Sequence, residues 1–217
     1  MQNPIDLIAS LGVVPVIAIE RVSDAVALAD ALLEGGLPVA EITFRTQAAA
    51  DVLSTMREAR PELCIGAGTI LDKANLDRAM DSGARFGLAP GYDPAIVDAA
   101  KAAGLPFCPG ILTPSDLTLA AARGVRLAKF FPAGIAGGPK ALAGISAPFA
   151  HLGMRFIPTG GVTEATIGDW LALPQVVAIG GTWIAKTEDI REGRFKDIAR
   201  NAADAVRVAR QALEKRA

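Results

Sequence analysis

One histidine in 217 residues limits the chemistry open to this chain. A lone His151 could serve a Ser-His-Asp triad but cannot build a multi-histidine metal site. It lies in Ala150-His151-Leu152-Gly153, beside an expected strand, and reads as a structural or surface residue. Cysteine is equally scarce. Cys64 and Cys108 are too few for a disulfide framework and lack zinc-ligand spacing, so a reduced, intracellular setting and no bound metal are expected. An excess of one charge is missing as well. Lys and Arg number 22 and Asp and Glu 23, a formal net charge of −1, which excludes a basic nucleic-acid binder as the default. Long apolar runs are absent. The longest stretch without a formal charge, residues 170–185, contains Pro174, Gln175 and Gly180-Gly181 and is too short to span a bilayer. The start, Met1-Gln2-Asn3-Pro4-Ile5-Asp6, has no basic segment ahead of its apolar stretch. A soluble, cytoplasmic protein is expected, with neither nucleic acid nor membrane as partner.

What is present points to a packed core. Hydrophobic residues make up 51% and charged residues 21%, which excludes general disorder. The length suits one domain over residues 1–217. Short apolar, β-branched runs recur at 13–19, 39–44, 64–69, 85–90, 107–111, 127–131, 156–160 and 176–181, each followed by an alanine-rich stretch of helical period. Ser23 is the expected N-cap of a helix at 23–33 that stops at Gly35-Gly36. Helices at 72–80, 93–103 and 163–171 follow the same rule, opening on Asp72, Asp93 and Thr163. A short helix at 6–11 and an amphipathic helix at 191–216 close the two ends.

Strands alternating with helices at a mean spacing of about 23 residues imply a parallel sheet. Eight units is the number that closes a (β/α)8 TIM barrel, here with tight loops. The competing doubly wound fold needs fewer strands. No linker divides the chain. The glycine-rich segment Gly134-Ile135-Ala136-Gly137-Gly138 falls in the longest unit and reads as a functional loop after the sixth strand.

In such a barrel the polar residues at the carboxyl ends of strands are the candidates for chemistry. Of seven lysines, only Lys129 sits inside a strand pattern. Leu127, Lys129 and Phe131 then share one face. If that face points inward, burial disfavours the charged ammonium. A neutral amine is the nucleophile that makes a Schiff base with a carbonyl. The alternative is a strand-edge lysine reaching solvent. Glu41 lies between Val39-Ala40 and Ile42, an unusual place for a carboxylate, and shares a face with Thr43 and Arg45. It could carry protons during imine formation, or form a structural ion pair with Arg45 or Lys129. Gly160-Gly161 and Gly180-Gly181 end the last two strands, where barrels bind phosphate through backbone N–H groups, and Thr182 could add a hydroxyl.

Taken together, the chain resembles the KDPG/KHG aldolase family, the 2-keto-3-deoxy-6-phosphogluconate aldolases. The segments that carry the resemblance run in order over nearly the whole chain. They are Val14-Pro15-Val16-Ile17, Glu41-Ile42-Thr43-Phe44-Arg45-Thr46, Gly66-Ala67-Gly68-Thr69, Pro90-Gly91, Pro109-Gly110-Ile111, Lys129-Phe130-Phe131-Pro132-Ala133, Pro158-Thr159-Gly160-Gly161 and Gly180-Gly181-Thr182-Trp183. The resemblance implies a metal-free, cofactor-free class I aldolase on a (β/α)8 barrel, usually a homotrimer, acting on a phosphorylated 2-keto acid. It implies Lys129 as the Schiff-base lysine and Glu41 as the proton carrier. Arg45 and Thr69 would hold the pyruvate carboxylate, with Pro90, Phe131 and Thr159 as further substrate contacts. Gly160, Gly161, Gly181 and Thr182 would form the phosphate end. The chain departs from the family pattern at Ala89 (often serine), Gly134 (often glutamate) and Thr182 (often serine). Three alternatives remain open at this point: 4-hydroxy-2-oxoglutarate or the galacto epimer as substrate, a phosphosugar epimerase or isomerase, and a non-catalytic phosphosugar-binding barrel.

Overall fold

The structure, a computed structural model, describes residues 2–216. Among these residues, nine short strands and ten α-helices follow one another along the chain. The strands are β1 (Val13–Ile17), β2 (Val39–Thr43), β3 (Cys64–Gly68), β4 (Gly87–Leu88), β5 (Phe107–Cys108), β6 (Gly110–Ile111), β7 (Leu127–Phe130), β8 (Arg155–Pro158) and β9 (Ile179–Gly181). The helices are α1 (Pro4–Leu11), α2 (Ala25–Glu34), α3 (Ala49–Ala59), α4 (Lys73–Asp81), α5 (Pro94–Ala102), α6 (Pro114–Ala122), α7 (Gly138–Ser146), α8 (Ile167–Leu171), α9 (Thr187–Arg191) and α10 (Phe195–Arg216).

All ladder pairs are parallel. One sheet runs β5-β4-β3-β2-β1-β9 and a second runs β6-β7-β8. Only Pro109 separates β5 from β6, where the missing N–H interrupts the ladder. On the other side, single parallel bridges link Phe156 to Val176 and Thr159 to Gly180. The result is a curled parallel sheet wrapped by helices, its strands buried on both faces as parallel strands with helical crossovers must be.

Several boundaries correct the sequence expectation. The strand expected at 13–19 ends at Ile17, the one at 85–90 shrinks to Gly87–Leu88, and the one at 176–181 begins only at Ile179. Apolar runs report burial rather than pairing. Ile19, Ala89 and Val176 are buried but lie outside the ladder. The strand expected at 156–160 is Arg155–Pro158, because the chain turns at Gly160 and Gly161, both with positive φ. Ser23 is not a helix cap. It sits inside a 3-10 turn, Val22–Asp24, and the adjacent Asp24 carboxylate is taken by Arg21 at 2.7 Å. Asp72 and Asp93 do cap, each accepting a backbone N–H at 2.7 Å. Residues 163–171 divide into a 3-10 turn and the short α8. The C-terminal helix starts at Phe195, after a left-handed Gly193 separates it from α9. α7 begins at Gly138, directly after the glycine-rich loop.

One apolar cluster runs from Ile8 to Ala209. Among the described residues no helix is long and apolar enough to cross a membrane.

Candidate active site

Partners in a parallel ladder point to the same side of the sheet, and a step of two residues keeps that side. These two rules connect the candidates around the curl. Lys129 pairs with Ile157, two residues before Thr159, which bridges to Gly180. Gly180 pairs with Val14, and Val16, two residues on, pairs with Glu41. Thr43, two beyond Glu41, pairs with Gly68. Lys129, Thr159, Val16, Glu41 and Thr43 therefore all face the interior of the curl. Lys129 Nζ donates a 2.9 Å hydrogen bond to Glu41 Oε1 across 88 residues of sequence. The exposures of these two residues are 5% and 1%, which overturns the alternative of a solvent-reaching Lys129. The Glu41–Lys129 ion pair forms. The Glu41–Arg45 pair does not, because Arg45 Nε instead donates to Thr43 Oγ1 at 3.3 Å. The Lys129 ammonium also lies over the Phe131 ring, 5.8 Å from its centroid.

Small residues make the room. A Cβ on Gly68 would overlap the Glu41 carboxylate, and one on Gly180 would overlap the Thr159 hydroxyl. A Cβ on Gly110 would overlap the Pro90 backbone, which fixes Pro90 against β6. A Cβ on Gly181 would come within 2.7 Å of the Trp183 ring. The loop after β7 packs on the glycine pair after β8. Gly134 N–H donates to Gly160 O at 2.7 Å, and a Cβ on Gly134 would come within 3.0 Å of Gly161 Cα. The departure at Gly134 thus lets the loop lie directly on Gly160-Gly161. Gly160 in turn abuts Phe131, where an added Cβ would come within 3.0 Å of the ring.

Thr69 follows β3 with a φ of 60°. A β-branched residue in the left-handed region is strained by about 1–3 kcal/mol, and such positions cluster at functional sites. Arg45 and Thr182 line one cleft of about 240 Å³ with Val16, Ala18, Ala185, Lys186 and Thr187. Val16 shares the Glu41 face, so this cleft opens at the carboxyl ends of the strands. His151 is exposed in a 3-10 turn, Ala147–Leu152, away from these residues in the fold order.

Burial pushes the Cys108 thiol far above the ordinary range. The Lys129 charge opposes that shift and the Glu41 charge adds to it, so the thiol senses both partners of the pair. Cys64 is raised in the same direction by burial. Among the described residues, no group of three or more His, Cys, Asp and Glu side chains could hold a metal ion. Reading the sequence alone missed Thr43 as the residue that engages Arg45, Lys186 at the cleft, and Gly66 and Gly68 as space-makers. The glycine alternation along β3, opposite Glu41, was the available signal for the last two.

A buried amine beside a carboxylate inside a curled parallel sheet is an arrangement that can form a Schiff base with a carbonyl and move the protons of that reaction. The comparisons name the family. The KDPG and KHG aldolase family matches residues 5–201. The 2-dehydro-3-deoxy-phosphogluconate aldolase of Haemophilus influenzae is 39% identical over 199 residues, 92% of this chain and 93% of that protein. The KHG/KDPG aldolase of Escherichia coli strain K12 is 40% identical over 194 residues, 89% of this chain and 90% of that protein. A crystal structure of KDPG aldolase from Legionella pneumophila, with pyruvate captured as a covalent carbinolamine intermediate, superimposes with a TM-score of 0.88 at 34% identity. It covers 93% of this chain and 97% of that one. The chain belongs to the KDPG and KHG aldolase family.

Proposed function

We propose that this chain is a class I aldolase that cleaves 2-keto-3-deoxy-6-phosphogluconate to pyruvate and glyceraldehyde 3-phosphate through an imine on Lys129. The observation that carries the reading is the buried 2.9 Å Lys129–Glu41 pair inside the curled sheet. The Lys129 amine, its proton passed to Glu41, adds to the C2 carbonyl to give a carbinolamine; Glu41 returns that proton to the carbinolamine hydroxyl, which leaves as water and gives the protonated imine. The C3–C4 bond breaks, its electrons enter the imine to form an enamine, and the aldehyde departs. Glu41 accepts the C4 hydroxyl proton and returns a proton to C3. Water then hydrolyses the imine, which frees pyruvate and restores the amine. Arg45 suits the pyruvate carboxylate, since Thr43 occupies Nε and leaves both terminal nitrogens for a bidentate contact. Thr69 shares that end. Pro90, Phe131 and Thr159 line the path between them. Gly160, Gly161, Gly181 and Thr182 hold the phosphate, with the positive φ of Gly160 and Gly161 exposing backbone for the anion.

The sheet is read as one closed (β/α)8 barrel in a single domain over residues 1–217. The one-residue gap at Pro109, the Thr159–Gly180 bridge and the single apolar cluster support it. Two free, buried thiols suit a cytoplasmic enzyme. A homotrimer is proposed on the family resemblance, and exposed Leu71, Leu112 and Ile135 after β3, β6 and β7 could supply its contacts. The similarity to the KHG/KDPG aldolase of Escherichia coli favours 4-hydroxy-2-oxoglutarate as a second substrate.

Borohydride reduction with pyruvate tests the central step. One pyruvate-derived mass per chain is expected, located on Lys129. A label on another lysine, or none in active enzyme, would overturn the mechanism.

A further inference from the structure

A phosphate monoester carries about 1.5 to 2 negative charges at neutral pH. The groups proposed above to hold it are uncharged: backbone N–H groups at Gly160, Gly161 and Gly181 and the Thr182 hydroxyl. The structure supplies a cation in the cleft that Thr182 lines. Lys186 follows Thr182 by four residues and lines the same 240 Å³ cleft. The segment that carries it is tied down, because Thr187 Oγ1 donates to Ala18 O at the end of β1 at 3.1 Å. Val16, Ala18 and Arg45 line the cleft as well.

Within reach of this segment, the acids do not neutralise the lysine. Asp189 is held by Arg194 at 2.6 Å, and Glu188 is exposed on α9. Among the described residues Lys186 forms no salt bridge. Arg45, the other cation of the cleft, follows β2, on the far side of β1 from Thr182, with its Nε engaged by Thr43. One cleft is thus lined by two cations carried by segments on either side of β1, a pairing that suits a substrate with two anionic groups.

We infer that Lys186 is a specificity residue, the cation that pairs with the substrate phosphate while Arg45 pairs with the carboxylate. This rests on the aldolase reading above. A flexible ammonium suits a phosphate that leaves with the product aldehyde, since it binds as a point charge without fixed geometry.

The test compares kcat/KM for the phosphorylated six-carbon substrate with that for unphosphorylated 4-hydroxy-2-oxoglutarate in parent, Lys186→Gln and Lys186→Arg proteins. Lys186→Gln should lower the ratio of the two values about 10- to 100-fold, as expected for loss of one charge-assisted contact. Lys186→Arg should keep it within about threefold. Rising salt should depress the phosphorylated reaction in the parent and do so less in Lys186→Gln. Equal losses on both substrates, or no loss on either, would overturn the assignment. Borohydride trapping of pyruvate by the parent separates the two failures. No adduct on Lys129 would sink the aldolase reading itself, whereas an adduct with an unchanged ratio would sink only the role of Lys186.

Discussion

Gly68 occupies the space beside the Glu41 carboxylate, so that any side chain there would overlap it. The strand neighbour of Glu41 is Gly66, whose missing side chain is filled by the Phe86 ring. Two glycines on one face of β3 therefore do different work. One admits an aromatic ring to the core, and the other admits a carboxylate to the reactive centre.

Replacing Gly68 by alanine should move Glu41 off Lys129. Overfilling a packed interior costs about 1–3 kcal/mol, so the thermal midpoint should fall by several degrees. Turnover should fall further, by about the 10²–10⁴ expected when a positioned acid–base group is lost. Pyruvate trapping on Lys129 should persist. Full activity in a folded Gly68→Ala protein would show that the observed carboxylate position is not the working one.

The period-two alternation made the inward face of β2 and β7 legible, because only a strand puts Glu41 with Thr43 and Lys129 with Phe131. Which of Arg45 and Lys129 pairs with Glu41 was not legible, since the register between β2 and β7 depends on the four ladders that link them through β3, β4, β5 and β6. Strand ends were overread at Ile19 and Val176: Ile19 is buried beyond the end of β1, and Val176 makes only a single bridge, to Phe156, ahead of β9. Ser23 looked like a cap because caps are recognised by residue type, whereas the 3-10 turn at Val22–Asp24 depends on Arg21 engaging Asp24. Lys186 gave no signal at all, as a charged residue beyond a strand looks like any solvated loop position.

Thr43 links two strand ends. Its hydroxyl donates to Ile17 O at 3.0 Å and accepts from Arg45 Nε at 3.3 Å. Thr43→Val keeps the shape but leaves a buried carbonyl and a guanidinium N–H without that partner. Each such loss costs about 1–3 kcal/mol. The KM for substrate and the pyruvate concentration needed for trapping should rise about tenfold, with a smaller change in kcat. Thr43→Ser should restore both. Should Thr43→Ser fail like Thr43→Val, the hydroxyl would not suffice by itself, and the packing of the methyl group would be needed as well to hold Arg45.

Cys108 should stay unreactive in the native protein. Burial holds its thiol protonated despite the nearby Lys129 charge, and the thiolate is the reactive form. Iodoacetamide should label neither cysteine until the chain unfolds, since Cys64 is shifted the same way. Stability follows with a definite sign. A thiol with a raised folded pKa contributes its full share below the ordinary thiol range. That share is lost as pH rises above about 8.5, where the unfolded chain ionises first, by up to about 1.4 kcal/mol per pH unit. Cys108→Ala should flatten that alkaline decline, and an unchanged slope would place its cause elsewhere.

The Lys129–Glu41 pair should be coupled in stability as well as in turnover. Both groups are almost fully buried, so each depends on the other to offset its loss of water. Lys129→Met should abolish imine formation and cleavage together. It should also strand a carboxylate in the core, at a cost of about 3–5 kcal/mol near neutral pH. Glu41→Gln alone keeps the lysine, so pyruvate adducts should still form while turnover falls by about 10²–10⁴. Combining the two changes removes both charges and should recover most of the stability lost in Lys129→Met, although the double variant stays inactive. Urea unfolding of the four proteins at pH 7 measures the coupling directly. Additive losses in the double variant would mean that the carboxylate finds solvent or another partner once the lysine is gone. The 2.9 Å contact would then position the amine without being needed to keep Glu41 charged.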